Sequence, residues 1–473
     1  MRTTGRLAII TVLLGFGWVG LGCGGDDGEP PPPDWSRELP AADTAFGSHR
    51  GLTPVRGIIH LHSPYSHDAC DGEGRDEISG AINEPCLADL REALCATRVG
   101  YAVLTEHDDS MADEEFEDLF LLREDDELLR NTAGDPVASR IRCDNGHEVL
   151  WFTGGENNYM PLMIDRHPVG TIEERHDVYN SYEVETSQQF RDMGGLVWVA
   201  HSEERPVDDL RARNLDGMEI YNLHANIDPN IREEFLGLDA AGAIRAVVEF
   251  ADTTPEGPEP DLAMISFVEE SDVAVGRWDT LLGEGLRISG SAGTDAHQNS
   301  LPIMMRDGER GDSYRRMIRW FSNVILADDP RDPESVETAL REGRMYVAFE
   351  LFGTPSGFDM AATGGANGDA EIGDTISSTD GATLEVTLPV VYGLDPMLPV
   401  PKIRARILRV DPSGTTEIAS GDATTISAPI NAVGAYRVEV LITPHHHAPY
   451  LGRLTEHAAK ERVWIYSNPI YVQ

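Results

Sequence analysis

Eight residues able to hold metal ions recur along this chain, most of them in a repeated setting. His60-Leu-His62 opens the set and Asp295-Ala-His297 closes it, with His107, Glu156, His167 and His201 between them. Several follow a short apolar run: Gly57-Ile-Ile before His60, Tyr101-Ala-Val-Leu before Thr105-Glu106-His107, Val149-Leu-Trp-Phe-Thr before Gly154-Gly155-Glu156, and Gly195-Leu-Val-Trp-Val-Ala before His201. His60 and His62, two apart on a strand, would share one face. Imidazole and carboxylate donors gathered from several strand ends suit borderline divalent cations such as zinc, manganese or iron. Runs that read as buried parallel strands, each closing on His, Asp or Glu, describe one end of a β/α barrel, where strand C-termini converge on a site.

The order of these motifs resembles the PHP (polymerase and histidinol phosphatase) superfamily of metal-dependent phosphoesterases. That family opens with an HxH strand followed by Ser-x-x-Ser and an acid, written here His60-Leu-His62-Ser63-Pro-Tyr-Ser66-His67-Asp68. Its Thr-Asp-His stands as Thr105-Glu106-His107, its Gly-x-Glu as Gly154-Gly155-Glu156, and its Ser-Asp-Ala-His as Thr294-Asp295-Ala296-His297. Two positions depart from the pattern. Glu106 replaces an Asp, and Ser202 follows His201 where the family has Pro.

The resemblance implies a distorted seven-stranded β/α barrel over residues 51–355 and two to three divalent metal ions. His60, His62, Glu156 and Asp295 would hold the first, with Glu156 bridging to a second on His167 and His201. Asp68, His107 and His297 would hold the third. Asp68 is preferred to His67 because the family ligand falls six residues after the second His. A hydroxide bridging two metals at Glu156 would attack a small organic phosphate ester, and Arg166 and Arg205, beside ligands, could grip the phosphate. The same hydroxide could serve a carbamate, amide or ester hydrolase, and a non-enzymatic surface lipoprotein using the barrel as a scaffold is a third reading. Of the chain's 15 histidines, His49, His147, His176, His224 and His457 read as ordinary surface or core residues, and His445-His446-His447 as an exposed loop.

The first 23 residues read as an export signal. A basic stretch from Arg2 to Arg6 precedes an apolar run, Leu7 to Leu21, too short to span a bilayer. Gly20-Leu-Gly-Cys23 resembles a bacterial lipoprotein cleavage site, which implies lipidation of Cys23 and anchoring in the bacterial envelope at the outer membrane. Residues 24–50 read as a disordered Pro-, Gly- and Asp-rich tether. The four remaining cysteines, Cys70, Cys86, Cys95 and Cys143, suit two disulfides in an exported protein. Three pairings are possible; Cys70 with Cys86 and Cys95 with Cys143 are preferred, as staples around the first motif and between two segments leading into strands.

The 81 Asp and Glu against 38 Lys and Arg give a formal charge of −43. Such a surface repels polyanions, which argues against nucleic acid and for a small-molecule substrate. Glu114-Glu115 and Asp125-Asp126-Glu127 read as solvated faces of surface helices. Pro333 to Gly343 predicts a helix with a Gly stop ahead of a final strand. From 356 to 473, strand-like runs at Thr383, Ile403, Tyr436 and Val463, separated by Gly, Asp and Pro turns, predict a small all-β sandwich.

Overall fold

The apolar runs ahead of the ligand motifs are strands, as their β-branched and aromatic content requires. In the computed structural model, residues 32–47, 49–76, 78–107 and 111–473 are described, apart from the side chain of residue 247. Cys23 and the Leu7–Leu21 run lie outside them. The first eleven strands are β1 (Thr53–Ile58), β2 (Tyr101–Glu106), β3 (Glu127–Arg130), β4 (Pro136–Arg142), β5 (Glu148–Gly155), β6 (Met160–Leu162), β7 (Leu196–Trp198), β8 (Gly217–Asn222), β9 (Ser289–Gly293), β10 (Ser322–Ala327) and β11 (Met345–Ala348).

Strands β1, β2 and β5 pair in parallel. The short β6 runs antiparallel between β5 and β7. Backbone bonds from Asp216 to Val197 (2.8 Å) and from Glu219 to Val199 (3.1 Å) join β7 to β8, which pairs in parallel with β9. A parallel bridge between Leu61 and Ala296 then returns the hydrogen bonding to the chain just after β1. Seven strands are thus linked in succession, and the ligand motifs stand just beyond their C-terminal ends.

Side chains alternating along these strands fill the space beneath the motifs. Val55, Ile59, Tyr101, Val103, Leu150, Phe152, Leu196 and Trp198 form one buried cluster. Trp198 fits because position 217 is glycine: a Cβ there would lie 2.0 Å from the indole.

The molecule is mixed α/β, and its main sheet does not stop at the last motif. β10 pairs antiparallel with β1, β11 with β10, and strand Arg462–Ser467 with β11. The expected helix forms over Pro333–Arg341, capped by Asp332, with Gly343 at φ 69° before β11. The predicted C-terminal strands form over Thr383–Thr387, Lys402–Asp411, Gly434–Thr443 and Arg462–Ser467. The first belongs to a separate four-stranded sheet, the other three to the main sheet. Both sheets contribute to the same apolar cluster, through Leu384 and Val386 on one side and Ile407, Val438 and Val440 on the other.

Three expectations are corrected. Within the presumed tether, residues from Pro33 onward are docked: Trp35 Nε1 donates to Asp261 (3.0 Å), Tyr450 to Pro33 O (2.9 Å) and Arg56 to Pro40 O (2.9 Å). The His445–His447 run is not a wholly exposed loop; His446 and His447 are buried and hydrogen bonded to Phe352 O (3.1 Å) and Leu351 O (3.0 Å). The acidic runs flank a 3-10 turn, Phe116–Phe120, and lead into β3, where Asp126 takes two 2.8 Å bonds from Arg91. Two disulfides, Cys70–Cys86 and Cys95–Cys143, close the preferred pairings. Disulfides of this kind fit an oxidising, non-cytosolic setting. Among the described residues no helix is long and apolar enough to cross a membrane.

Candidate metal centre

Beyond β1, the backbone places His60 and His62 on one side, both fully buried. Their Nε2 atoms lie 3.2 Å apart. Glu156 Oε2, just past β5, lies 3.2 Å from each of them, and Asp295 Oδ1, two residues past β9, lies 3.3 Å from each. Four donors around one cation at about 2.0–2.1 Å stand about 3.3 Å apart at the corners of a tetrahedron. The donors therefore fit a divalent ion.

The surrounding hydrogen bonds fix which atoms face inward. His60 Nδ1 lies 2.7 Å from Glu219 Oε1, and His62 Nδ1 lies 2.8 Å from Ser66 Oγ. With Nδ1 so engaged, each Nε2 lone pair is turned to the centre. Glu219 also accepts from the His201 backbone N–H (3.0 Å) and Asn222 Nδ2 (2.9 Å). Glycine at 293 makes room for it, since a Cβ there would lie 1.9 Å from Glu219 Oε1. Glu106, the departure from Asp, accepts from Ser63 N (3.0 Å) and Ser66 Oγ (2.6 Å), and burial pushes its carboxyl pKa up. It supports the turn that carries the first ligands.

The other oxygens of the two central carboxylates face a second group. Glu156 Oε1 lies 3.4 Å, and Asp295 Oδ2 3.2 Å, from His201 Nε2. His201 Nδ1 is held by Glu203 Oε1 at 3.0 Å. His201 and Asp295 both adopt left-handed backbone, φ 49° and 52°, a conformation costing about 1 kcal/mol or more for a residue with a Cβ and concentrated at functional sites. Burial alone would raise the Glu156 and Asp295 carboxyls, but the surrounding histidines, His60 and His201 among them, together outweigh it and hold both well below the ordinary range.

A third group lies against the first. The His297 ring stacks on His62 with centroids 3.8 Å apart, and the His107 ring lies 4.7 Å from His62. Asp68 Oδ2 is 3.3 Å from His297 Nε2, and Asp68 Oδ1 is 3.7 Å from His107 Nε2. His67 is exposed beside them, its ring 5.1 Å from His107. Burial pushes the His297 imidazole down to about 4, leaving it neutral. Asp68 Oδ1, Asp295 Oδ1 and His297 Nε2 are buried without a hydrogen-bond partner among the described residues. Orphaned buried polar atoms call for an ion or water, and these three point into the cluster.

Eight of the nine sequence candidates thus converge: His60, His62, Asp68, His107, Glu156, His201, Asp295 and His297. His167 does not join them. Its Nδ1 lies 2.9 Å from Tyr179 OH and its Nε2 3.1 Å from Glu114 O, with the ring edge-on to Phe116. His224, expected to be an ordinary histidine, does join: its Nδ1 is 2.9 Å from Asp295 Oδ2. Arg166 is turned to Asp165 (2.7 Å) and Asp135 (3.7 Å), which leaves it committed to carboxylates rather than to a phosphate. Arg205 follows the turn after His201, and its Nε is buried without a hydrogen-bond partner among the described residues. Sequence reasoning missed Glu219, although a charge inside the run Gly217-Met-Glu-Ile-Tyr is a signal in itself, because strands buried on both faces rarely carry one.

No family model matches the chain, and no curated protein matches it. Two solved structures are similar in backbone. One is a two-domain protein from Bacteroides vulgatus containing a predicted PHP-like metal-dependent phosphoesterase, at 12% identity and a TM-score of 0.32, covering 88% of this chain and 96% of that one. The other is PsfC from Pseudomonas syringae, at 10% identity and a TM-score of 0.33, covering 63% and 93%. Likeness this loose leaves the function to be read from the side chains.

Proposed function

We propose that this chain is a metal-dependent hydrolase of PHP type acting on a small organic phosphate ester. The observation that carries the reading is the set of four inward-facing donors, His60, His62, Glu156 and Asp295, spaced at 3.2–3.3 Å. The succession of seven strands supports the distorted barrel, and the antiparallel C-terminal strands support an appended sandwich from 356 onward. Metal ions held here would lower the pKa of a coordinated water and offset charge developing on a phosphoryl oxygen.

The chain's own residues set up that chemistry. Glu219 and Ser66 fix the tautomers of His60 and His62. Glu156 and Asp295, anionic and shared between two groups of donors, would bring two ions within reach of one water. Asp68, His107 and His297 would hold a further ion beside them. Of the two arginines expected to grip a phosphate, Arg205 would be the one to meet it, its Nε having no hydrogen-bond partner among the described residues. A charge of −43 disfavours polyanionic substrates and keeps the reading on small molecules. Export with a lipid on Cys23 belongs to the same reading, and the two disulfides fit it.

A second reading, hydrolysis of a carbamate, amide or carboxylic ester, is favoured by one observation: Arg166, an expected phosphate grip, is paired with Asp165 and Asp135. Turnover of p-nitrophenyl phosphate, bis-p-nitrophenyl phosphate and p-nitrophenyl acetate by zinc- or manganese-loaded protein separates the two. Metal-dependent turnover of a phosphate ester is expected. Turnover of the acetate alone would transfer the assignment to the second reading, and turnover of none would remove the support for a hydrolase.

A further inference from the structure

We propose that His224, not His167, completes the second metal position, with His201, Glu156 and Asp295. The inference rests on the metal-dependent reading above and assigns a ligand that the chain's motif pattern does not contain. His224 Nδ1 lies 2.9 Å from Asp295 Oδ2, and that same oxygen lies 3.2 Å from His201 Nε2. Glu156 Oε1 stands 3.4 Å from His201 Nε2. These separations bracket the edge of about 3.3 Å expected between donors sharing one ion. The two imidazoles meet edge to face, with centroids 5.9 Å apart, so they approach from different directions.

The carboxylates divide their oxygens between the two positions. Glu156 gives Oε2 and Asp295 gives Oδ1 to His60 and His62, which leaves Oε1 and Oδ2 for His201 and His224. Two nitrogen and two oxygen donors suit zinc, manganese or ferrous iron.

His224 is held by the same framework as the other proposed ligands. It lies in the first turn of helix Leu223–Ile227, directly after β8, where Asn222 caps the helix by accepting from Ala225 N. Asn222 also donates to Glu219, whose two oxygens engage His60 and the His201 backbone. One buried carboxylate therefore sets the relative positions of His60, His201 and the His224 turn. His167, by contrast, has both ring nitrogens satisfied by uncharged oxygens. The His224 side chain is 42% exposed, against 19% for His201 and 2% for Asp295. This second position is thus the one that opens to solvent.

The test uses full-length protein stripped of metal and titrated with zinc against a chromophoric chelator, and with cobalt for its visible spectrum. His224→Ala, at a half-exposed position, is expected to lose one equivalent or bind it at least about tenfold more weakly, the lower bound set by losses at supporting residues. Its cobalt spectrum should lose the contribution of one ion. His167→Ala and the more conservative His167→Gln, checked for folding by near-ultraviolet circular dichroism, should keep the wild-type complement. His224→Ala with unchanged stoichiometry and affinity overturns the assignment, as does loss of an equivalent in a folded His167 variant. Wild-type protein that binds no ion would overturn the hydrolase reading and this assignment with it.

Discussion

His60 and His62 turn their Nε2 atoms toward each other at 3.2 Å while Glu219 and Ser66 occupy the opposite nitrogens. Two lone pairs so placed need a cation or a proton between them. Burial alone would depress both imidazoles, but Glu156 and Asp295 outweigh it and raise them above the ordinary histidine range. Metal-free protein should therefore hold protons here at neutral pH and release them when an ion binds. Zinc titration in weak buffer near pH 7 should acidify the solution, and zinc affinity should climb with pH until those protons are gone. A titration with no proton release and an affinity independent of pH would contradict this arrangement.

Glu219 touches no proposed ion, yet it orients His60 and the His201 backbone. Glu219→Gln keeps the shape but weakens the bond to His60 Nδ1. Supporting carboxylates of this kind are worth about 10–100-fold in metal affinity. Chelator competition should show a loss of that order with the fold intact by circular dichroism. Unaltered affinity would reduce Glu219 to a packing role.

Glu156 and His297 should separate by role. Glu156→Ala removes a carboxylate shared by two positions and should abolish hydrolysis of every substrate along with binding of both ions. His297→Ala removes a donor of the third group only. It should keep the other ions and lose about a hundredfold or more in phosphate-ester turnover, the usual cost of one contact that stabilises an oxyanion. Metal content measured beside turnover decides the matter; undiminished phosphate-ester turnover without the third ion would remove that ion from the chemistry.

Asp261 anchors the docked N-terminal segment. It accepts from Trp35 Nε1 (3.0 Å), Arg315 (2.6 Å) and Arg316 (2.5 Å). Burial would raise its pKa, but Arg315, Arg319 and Arg316 outweigh that and lower it to about 2 from 3.8. A depressed carboxyl stabilises the fold at pH above its unfolded value and loses that contribution as pH falls toward the folded one. Part of the stability should thus disappear between about pH 4 and 2. Asp261→Asn takes a carboxylate from arginines that keep other partners, Arg315 with Glu309 (2.6 Å) and Arg316 with Asp307 (2.9 Å), and should cost about 1–3 kcal/mol at neutral pH and flatten this acid limb. Urea unfolding across pH would reveal it, and a parallel acid limb in the variant would refute the assignment.

Residues one to three positions past an apolar run were legible in the sequence, because strand chemistry and ligand chemistry coincide there. His60, His62, Glu156 and His201 are of this kind. Asp68 came only through the family spacing, since nothing local distinguishes it from His67. His224 escaped because it sits inside the helix Leu223–Ile227 rather than at a strand end, and because Glu219 interrupts the run before it, Gly217 to Tyr221. His167 was misplaced because distance along the chain from Glu156 cannot tell that the loop after β6 turns its ring toward Tyr179. The extension of one sheet past residue 355 was not legible, because the pairing partner of β11 lies more than a hundred residues downstream.

That pairing has a consequence for dissecting the chain. Tyr346, Val347 and Ala348 sit opposite Ser467, Tyr466 and Ile465. Cutting after residue 355 would bare a hydrophobic edge strand on the half that carries the candidate metal centre, and such edges recruit other chains. The separated halves should aggregate while the intact protein stays monodisperse, and heat should melt the two together rather than in sequence. The C-terminal strands would then serve, whatever else they bind, as the cover that keeps this edge from growing.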